Sequence, residues 1–437
     1  MTTAGTIRQP RGAFAALTSR GYRIYLMGQS LANTGSWMQS IAQDWLIFSL
    51  THSSTAVGIT MALQFLPILV LGLHTGAIAD RLPKRRILLT TQTLNAIAAG
   101  TLAVITIAGL TRPDDVYAFA FAAGLIFAFD SPARQAFVAE VAPVDRLPAA
   151  IALNAAVFQS TRLVGPALAS VIIASAGSGW AFAANAACYI GPTIGLLLLR
   201  PSDIRPAPPL AHEPGALLAA LRYVRKRPDV ATTIFLVGML GTFGLNFPIV
   251  LTAMAKSAFG GNAGTYGLFN IVLAVGSLAG ALLAGAAARP RPRAIALSAL
   301  AFGLAQAVAA IAPDMAVFLT LLIVMGFVNL AFQAMANAYV QLAADPEMRG
   351  RVMGLYMLVF IGGTPIGAPL VGMLTSHFGA RAGMLACGAV PAAAAVVMAV
   401  VTARRKAAAV PGRAPRRTRR GVTRRGVTVA RSGGNTL

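Results

Sequence analysis

The sequence predicts an all-α integral membrane protein with twelve transmembrane helices in two parallel six-helix repeats. Three observations carry this prediction. The 437 residues are 57% hydrophobic and only 11% charged, with a mean hydropathy of +0.70, whereas soluble globular chains are about one-quarter charged. Apolar windows of the about 20 residues needed to cross a hydrocarbon core of about 30 Å recur along the whole chain. The second half of the chain also repeats the first at a nearly fixed spacing.

The windows fall at 22–49, 54–79, 86–110, 115–139, 148–175 and 179–199, then at 229–255, 263–288, 293–312, 315–341, 351–376 and 381–402. They are too long and too closely spaced for barrel strands, so they read as helices. Between the two sets, "RPSDIRPAPPLAHEPGALLAALRYVRKRPD" is rich in Pro and charge and turns amphipathic near 215–226, a linker with a short interfacial helix. The expected organisation is an arm at 1–21, a bundle at 22–199, a linker at 200–228, a second bundle at 229–402 and a basic tail at 403–437. The first residues have no short apolar core with a small-residue cleavage site, so no removable signal peptide is expected.

The net charge of +23 is concentrated, with eleven of the 36 Lys and Arg after residue 402 in a stretch without acids. That tail has Gly and Pro but no aromatic residues to stack on bases. An anionic lipid surface is its expected partner, and nucleic acid is not. With the N-terminus inside, the inner segments hold 31 of the 36 basic residues and the outer loops only Arg112, Lys256 and Arg381. Both termini are therefore expected in the cytoplasm. Cys188 and Cys387 sit in apolar runs with neither disulfide nor metal spacing.

The repeat is explicit. "AVGITMALQFLPILVLGLHTGAIADRLPKRRIL" aligns with "TYGLFNIVLAVGSLAGALLAGAAARPRPRAIAL" at a spacing of 209, pairing Gly58 with Gly267 and Asp80 with Arg289. Further on, the spacing becomes 202 to 203 and Pro166 falls on Pro369. Two parallel copies place a solute pathway between them near the bilayer midplane.

Between the second and third windows, "GAIADRLPKRR" packs five charges into seven positions. Gly76 permits close helix approach, and Asp80 stands where it can cap the positive end of the eleventh helix near Arg349–Gly354. Arg81, Lys84, Arg85 and Arg86 suit lipid phosphates. This stretch resembles motif A of the major facilitator superfamily, with Gly76, Asp80, Arg81, Lys84 and Arg85 in its places and Pro83 for the usual second Gly. The resemblance implies a latch that locks the two halves together on the cytoplasmic side in the outward-open state. "GSWMQSIAQDWLIFSLTHSSTAVG", "DSPARQAFVAE" and "GWAFAANA" further resemble the enterobactin-exporter-like, or transmembrane secretion effector, branch. That branch exports siderophores, antibiotics and other amphiphiles from bacteria across the inner membrane. "VGPALAS", with Gly165 and Pro166, resembles the core of the antiporter motif of helix five, although Thr161 and Ala169–Ser170 replace glycines of that motif.

Polar residues inside spans face protein or water. In the first span Gln29, Asn33, Ser36, Ser40 and Gln43 form one helical face, a pathway wall or a packing seam, with Asp44 at its outer end. Asp44 is the leading proton-coupling candidate, with Asp130 second. The repeat position of Asp44 is Ala253, so packing symmetry does not demand an acid there. Asp130 and Arg134 are spaced to pair on the fourth helix, and the family's charge relay implies that Asp130 bonds Lys84 or Arg85. Arg162 lies deep in the fifth span and needs Asp44, Asp130, carbonyls or an anionic substrate group as partner. His74 is expected to hold an interhelical hydrogen bond, and Glu140 and Asp145 need no special role.

The chain contains no phosphate loop, nucleophile elbow or His-rich metal cluster. The resemblance to the exporter branch implies a proton-coupled exporter of an amphiphilic small molecule, expected to work as a monomer without cofactor or metal. An importer or facilitator shares the same fold, a membrane enzyme is the rival from another class, and a sensor that only binds its ligand is a further alternative.

Overall fold

The computed structural model describes residues 13–205, 215–285 and 290–408. The chain divides into a compact unit, Met1–Ala399, and a second, Val400–Leu437. The arm before residue 13, much of the Pro-rich linker and the basic tail beyond 408 lie outside the described residues. Those described are almost entirely helical, with no strand among them.

The helices of the first set are α1 (Arg20–Thr51), α2 (Ser54–Arg81), α3 (Lys84–Ile107), α4 (Pro113–Val141), α5 (Leu147–Ala176) and α6 (Ser178–Leu198). Those of the second are α7 (Pro228–Ala258), α8 (Ala263–Gly285), α9 (Pro292–Ala310), α10 (Met315–Ala343), α11 (Arg349–Phe378) and α12 (Ala380–Ala408). Local chemistry sets several ends. The Ser19 hydroxyl caps α1, which stops at His52 in the left-handed region. Pro113 opens α4, whose Asp115 carboxylate accepts the Arg112 amide at 2.8 Å. Three helices are interrupted. α6 breaks at Tyr189 and α11 at Gly363, before a Pro in the following piece, while α7 carries π-turns at Leu240–Gly244 and Met254–Ala258. A proline has no amide to donate, so the ladder gives way near it.

Among the described residues, eleven segments are long and apolar enough to cross a membrane, and α1 is not one of them. Twelve crossings were expected. The polar face of α1 lowers its hydropathy, and the helix is instead packed among α2, α4, α5, α6 and α7. The linker helix, Ala216–Arg225, lies against α7 and the start of α11.

The repeat appears in the packing itself. In the first set a Cβ on Gly124 of α4 would collide with the Gln64 backbone of α2, and Gly326 of α10 stands against Leu273 of α8 in the same way. Gly326 follows Gly124 by 202 residues and Leu273 follows Gln64 by 209, the spacings of the sequence repeat. The contacts joining the sets are also equivalent. Gly58 of α2 lies on Ala368 and Pro369 of α11, while Gly267 of α8 lies on Pro166 and Ser170 of α5.

These joining contacts crowd toward the side away from the basic segments. There Ser376 near the end of α11 meets Thr55 at the start of α2, with 3.0 Å between hydroxyls. Toward the basic side, no atom of the described residues lies within 4 Å of the Cβ position at Gly76, Gly350 or Gly354. The glycine contacts and the Ser376–Thr55 bond that join the sets thus lie toward the far side.

Candidate functional site

A cavity of about 360 Å³ lies between the two sets, walled by both. Its charged lining residues are Asp44 and Arg162. Asp44 is buried near the outer end of α1, where it accepts the Tyr266 hydroxyl of α8 at 2.9 Å. The Trp45 ring stacks on the same tyrosine at 6.4 Å between centroids. The carboxylate of the first set thus holds a helix of the second beneath the closed far side.

Arg162 points into this cavity with its guanidinium 5.5 Å from the Trp37 ring centre. Among the described residues it has no hydrogen-bond or ion-pair partner. Neither acid considered for it from sequence serves, because both are engaged elsewhere. Gly165, one turn along α5, lets the helix approach so closely that a Cβ would meet Trp37 and the α1 backbone. The helix-five motif therefore positions Arg162 by seating α5 on α1, and Pro166 lines the cavity wall.

A second lobe of about 280 Å³ opens within the first set. Asn33, Ser36, Ser40 and Gln43 of the α1 stripe line it, so that stretch forms a wall of the cavity, and Gln29 bonds Asn33 at 2.9 Å behind it. The Ser36 hydroxyl also meets that of Tyr189 at 3.1 Å, so the stripe packs as well.

At the floor of the lobe, Asp130 is fully buried. It accepts Arg134 of its own helix and the Thr91 hydroxyl, the latter at 2.7 Å, and Arg134 reaches on to Asn33 at 3.1 Å. The expected link from Asp130 to Lys84 or Arg85 is not what forms. Lys84 pairs with Glu140 at 3.6 Å and Arg85 donates to the Leu197 carbonyl at 3.2 Å. Glu140 lies at the end of α4, opposite the start of α3, whereas Asp130 is more than two turns deeper. Sequence reasoning passed over Glu140 as a surface acid, yet it is buried. An acid one helix-end away from a basic knot was the available signal.

Gly76, Arg81, Lys84 and Arg85 stand at the basic end of α2 and the start of α3, while the side chain of Asp80 lies outside the described residues. His74 is exposed and makes no hydrogen bond among the described residues, contrary to expectation, because it lies on an uncovered face of α2, whereas its neighbour Thr75 is buried.

Comparison with known proteins agrees with this architecture. Residues 11–418 match the family described as transmembrane secretion effector. The multidrug efflux pump Tap of Mycolicibacterium fortuitum is 30% identical over 387 residues, covering 84% of this chain and 93% of that one. The enterobactin exporter EntS of Salmonella typhi is 25% identical over 82% of this chain and 86% of its own. The staphyloferrin A transporter of Staphylococcus aureus is 26% identical over 57% of this chain and 63% of its own length. Among solved structures, a POT family transporter in complex with a thioalcohol-conjugated peptide superposes with a TM-score of 0.70 at 12% identity, over 88% and 96% of the two chains. A run of membrane-length apolar helices, two copies of one helix bundle, a motif A between α2 and α3 and a cavity between the copies converge on one assignment: the chain belongs to the transmembrane secretion effector family of the major facilitator superfamily, whose members are membrane transporters and not enzymes.

Proposed function

We propose that this secondary transporter is a proton-coupled exporter of an amphiphilic small molecule, working by alternating access. The observation that carries the reading is the Asp44–Tyr266 bond, which ties the two sets together at the wall of the cavity between them. If the basic side faces the cytoplasm, as the distribution of Lys and Arg favours, the structure is the inward-open state, ready to load from the cell. Rocking of the two sets would break the bond and expose Asp44 to outer water, where it takes up a proton. Closure would return that proton inward. Arg162 and Trp37 are the wall that meets the ligand. Asp130 with Arg134 braces the first bundle. The motif A residues Gly76, Asp80, Arg81, Lys84 and Arg85 form the latch of the opposite state.

The export direction is supported by the similarity to Tap, a multidrug efflux pump, and EntS, an enterobactin exporter. The test is accumulation of dyes and drugs by an efflux-deficient host that expresses the chain. Accumulation should fall relative to an empty control, and the difference should vanish when a protonophore collapses the gradient. Unchanged accumulation with the protein in the membrane would sink the reading.

A further inference from the structure

We infer that the cavity takes an aromatic organic anion bearing an uncharged, hydrogen-bonding head, with the anion on Arg162 and the head in the lobe inside the first set. This names the ligand class of the transport site proposed above and rests on that reading.

The anionic end follows from Arg162. A cation held in the hydrocarbon region without a partner is costly, and such residues pair or mark a pathway. Here Asp44 accepts Tyr266, and Asp130 accepts Arg134 and Thr91, and neither acid is paired with Arg162. The guanidinium rests on Trp37, a contact that leaves its planar fork of donors free for a carboxylate, sulfonate or phosphate.

The aromatic portion follows from what surrounds that fork. Trp37 and Phe158 stand with ring centres 5.8 Å apart, and Phe65 lies in the same wall. A ring carrying the anion would lie against these faces while its charge reaches Arg162.

The head group follows from the second lobe. It shares Trp37, Ser40, Gln64, Phe65 and Phe158 with the first, so one molecule can extend through both. Its two charged residues, Asp130 and Arg134, neutralise each other. Gln43, Gln64 and Asn95 line it without a hydrogen bond among the described residues. Free amides both donate and accept, which suits hydroxyls or amides. A second charge would meet no complementary partner there. The two lobes, about 360 and 280 Å³, lie in or near the size range of small-molecule sites.

The experiment is equilibrium dialysis of the purified full-length protein in detergent, with no gradient, against three probes. These are 4-carboxyphenyl glucoside, its uncharged analogue 4-carbamoylphenyl glucoside, and 4-methoxybenzoate, which keeps the anion and drops the sugar. The carboxylated glucoside should bind tightest. Loss of the charge should weaken binding about 10- to 100-fold, the range for hydrogen bonds to charged groups, and loss of the sugar about tenfold. Arg162→Lys should weaken only the two carboxylates, and Asn95→Leu only the two glucosides, each with an unchanged melting temperature. Equal binding of the carboxyl and carbamoyl probes, an equal effect of Arg162→Lys on both, or no binding of the carboxylated glucoside would overturn the inference. Failure here leaves gradient-driven export of other amphiphiles standing. Failure of the accumulation test leaves this binding pattern standing.

Discussion

Tyr266 donates its hydroxyl to Asp44 across 2.9 Å, tying α8 of the second bundle to α1 of the first beneath the closed far side. Both residues are buried and line the cavity that contains Arg162. Alternating access cannot open the far side without separating these two residues. Under the proposed function, this bond is where protonation of Asp44 would bear on the conformational equilibrium.

Asp44→Asn cannot load or release a proton. In proteoliposomes with an imposed pH gradient it should lose uphill export while keeping downhill exchange and ligand binding. A variant that still concentrates substrate like the parent would remove Asp44 from the coupling step and leave Asp130 as the remaining candidate.

Tyr266→Phe keeps the ring against Trp45 but removes the hydroxyl. One hydrogen bond to a carboxylate contributes about 1.5–3 kcal/mol, enough to shift a two-state equilibrium measurably. Far-side alkylation of a cysteine introduced at Thr55 should accelerate about tenfold or more. An unchanged rate would mean that the helix contacts alone hold this side shut.

Asp80→Asn should leave membrane insertion intact and cut transport strongly by weakening the outward-open state. Normal transport at normal expression would reduce motif A to a lipid anchor.

Gly124→Leu and Gly326→Leu occupy equivalent crossings in the two bundles. Each should destabilise its bundle by at least the about 1–3 kcal/mol typical of overpacking, read as a fall in melting temperature. Gly76→Ala, where space is open, should cost far less. Equal tolerance of all three would contradict the close helix approach.

A cysteine at Ser202 should resist a membrane-impermeant maleimide in intact cells, and one at Asp114 should react. The reverse pattern would invert the orientation inferred from the basic residues.

By itself, the sequence determined the fold class, the repeat and the location of motif A. These follow from hydropathy and spacing, which a bilayer reads locally along the chain. It also singled out Asp44, Asp130, Arg134 and Arg162, because an ionisable group within an apolar window stands out without any knowledge of its neighbours. Partners were decided only by the tertiary structure. Lys84 meets Glu140 because helix ends, not sequence distance, bring charges together. Tyr266 finds Asp44 across a boundary of 222 residues. Arg162 remains unpaired because the acids that might have held it are engaged elsewhere. Hydropathy is a property of one helix at a time. Pairing, conformational state and the shape of the cavity depend on how the two bundles close on each other, and that is set by contacts between residues far apart in the chain.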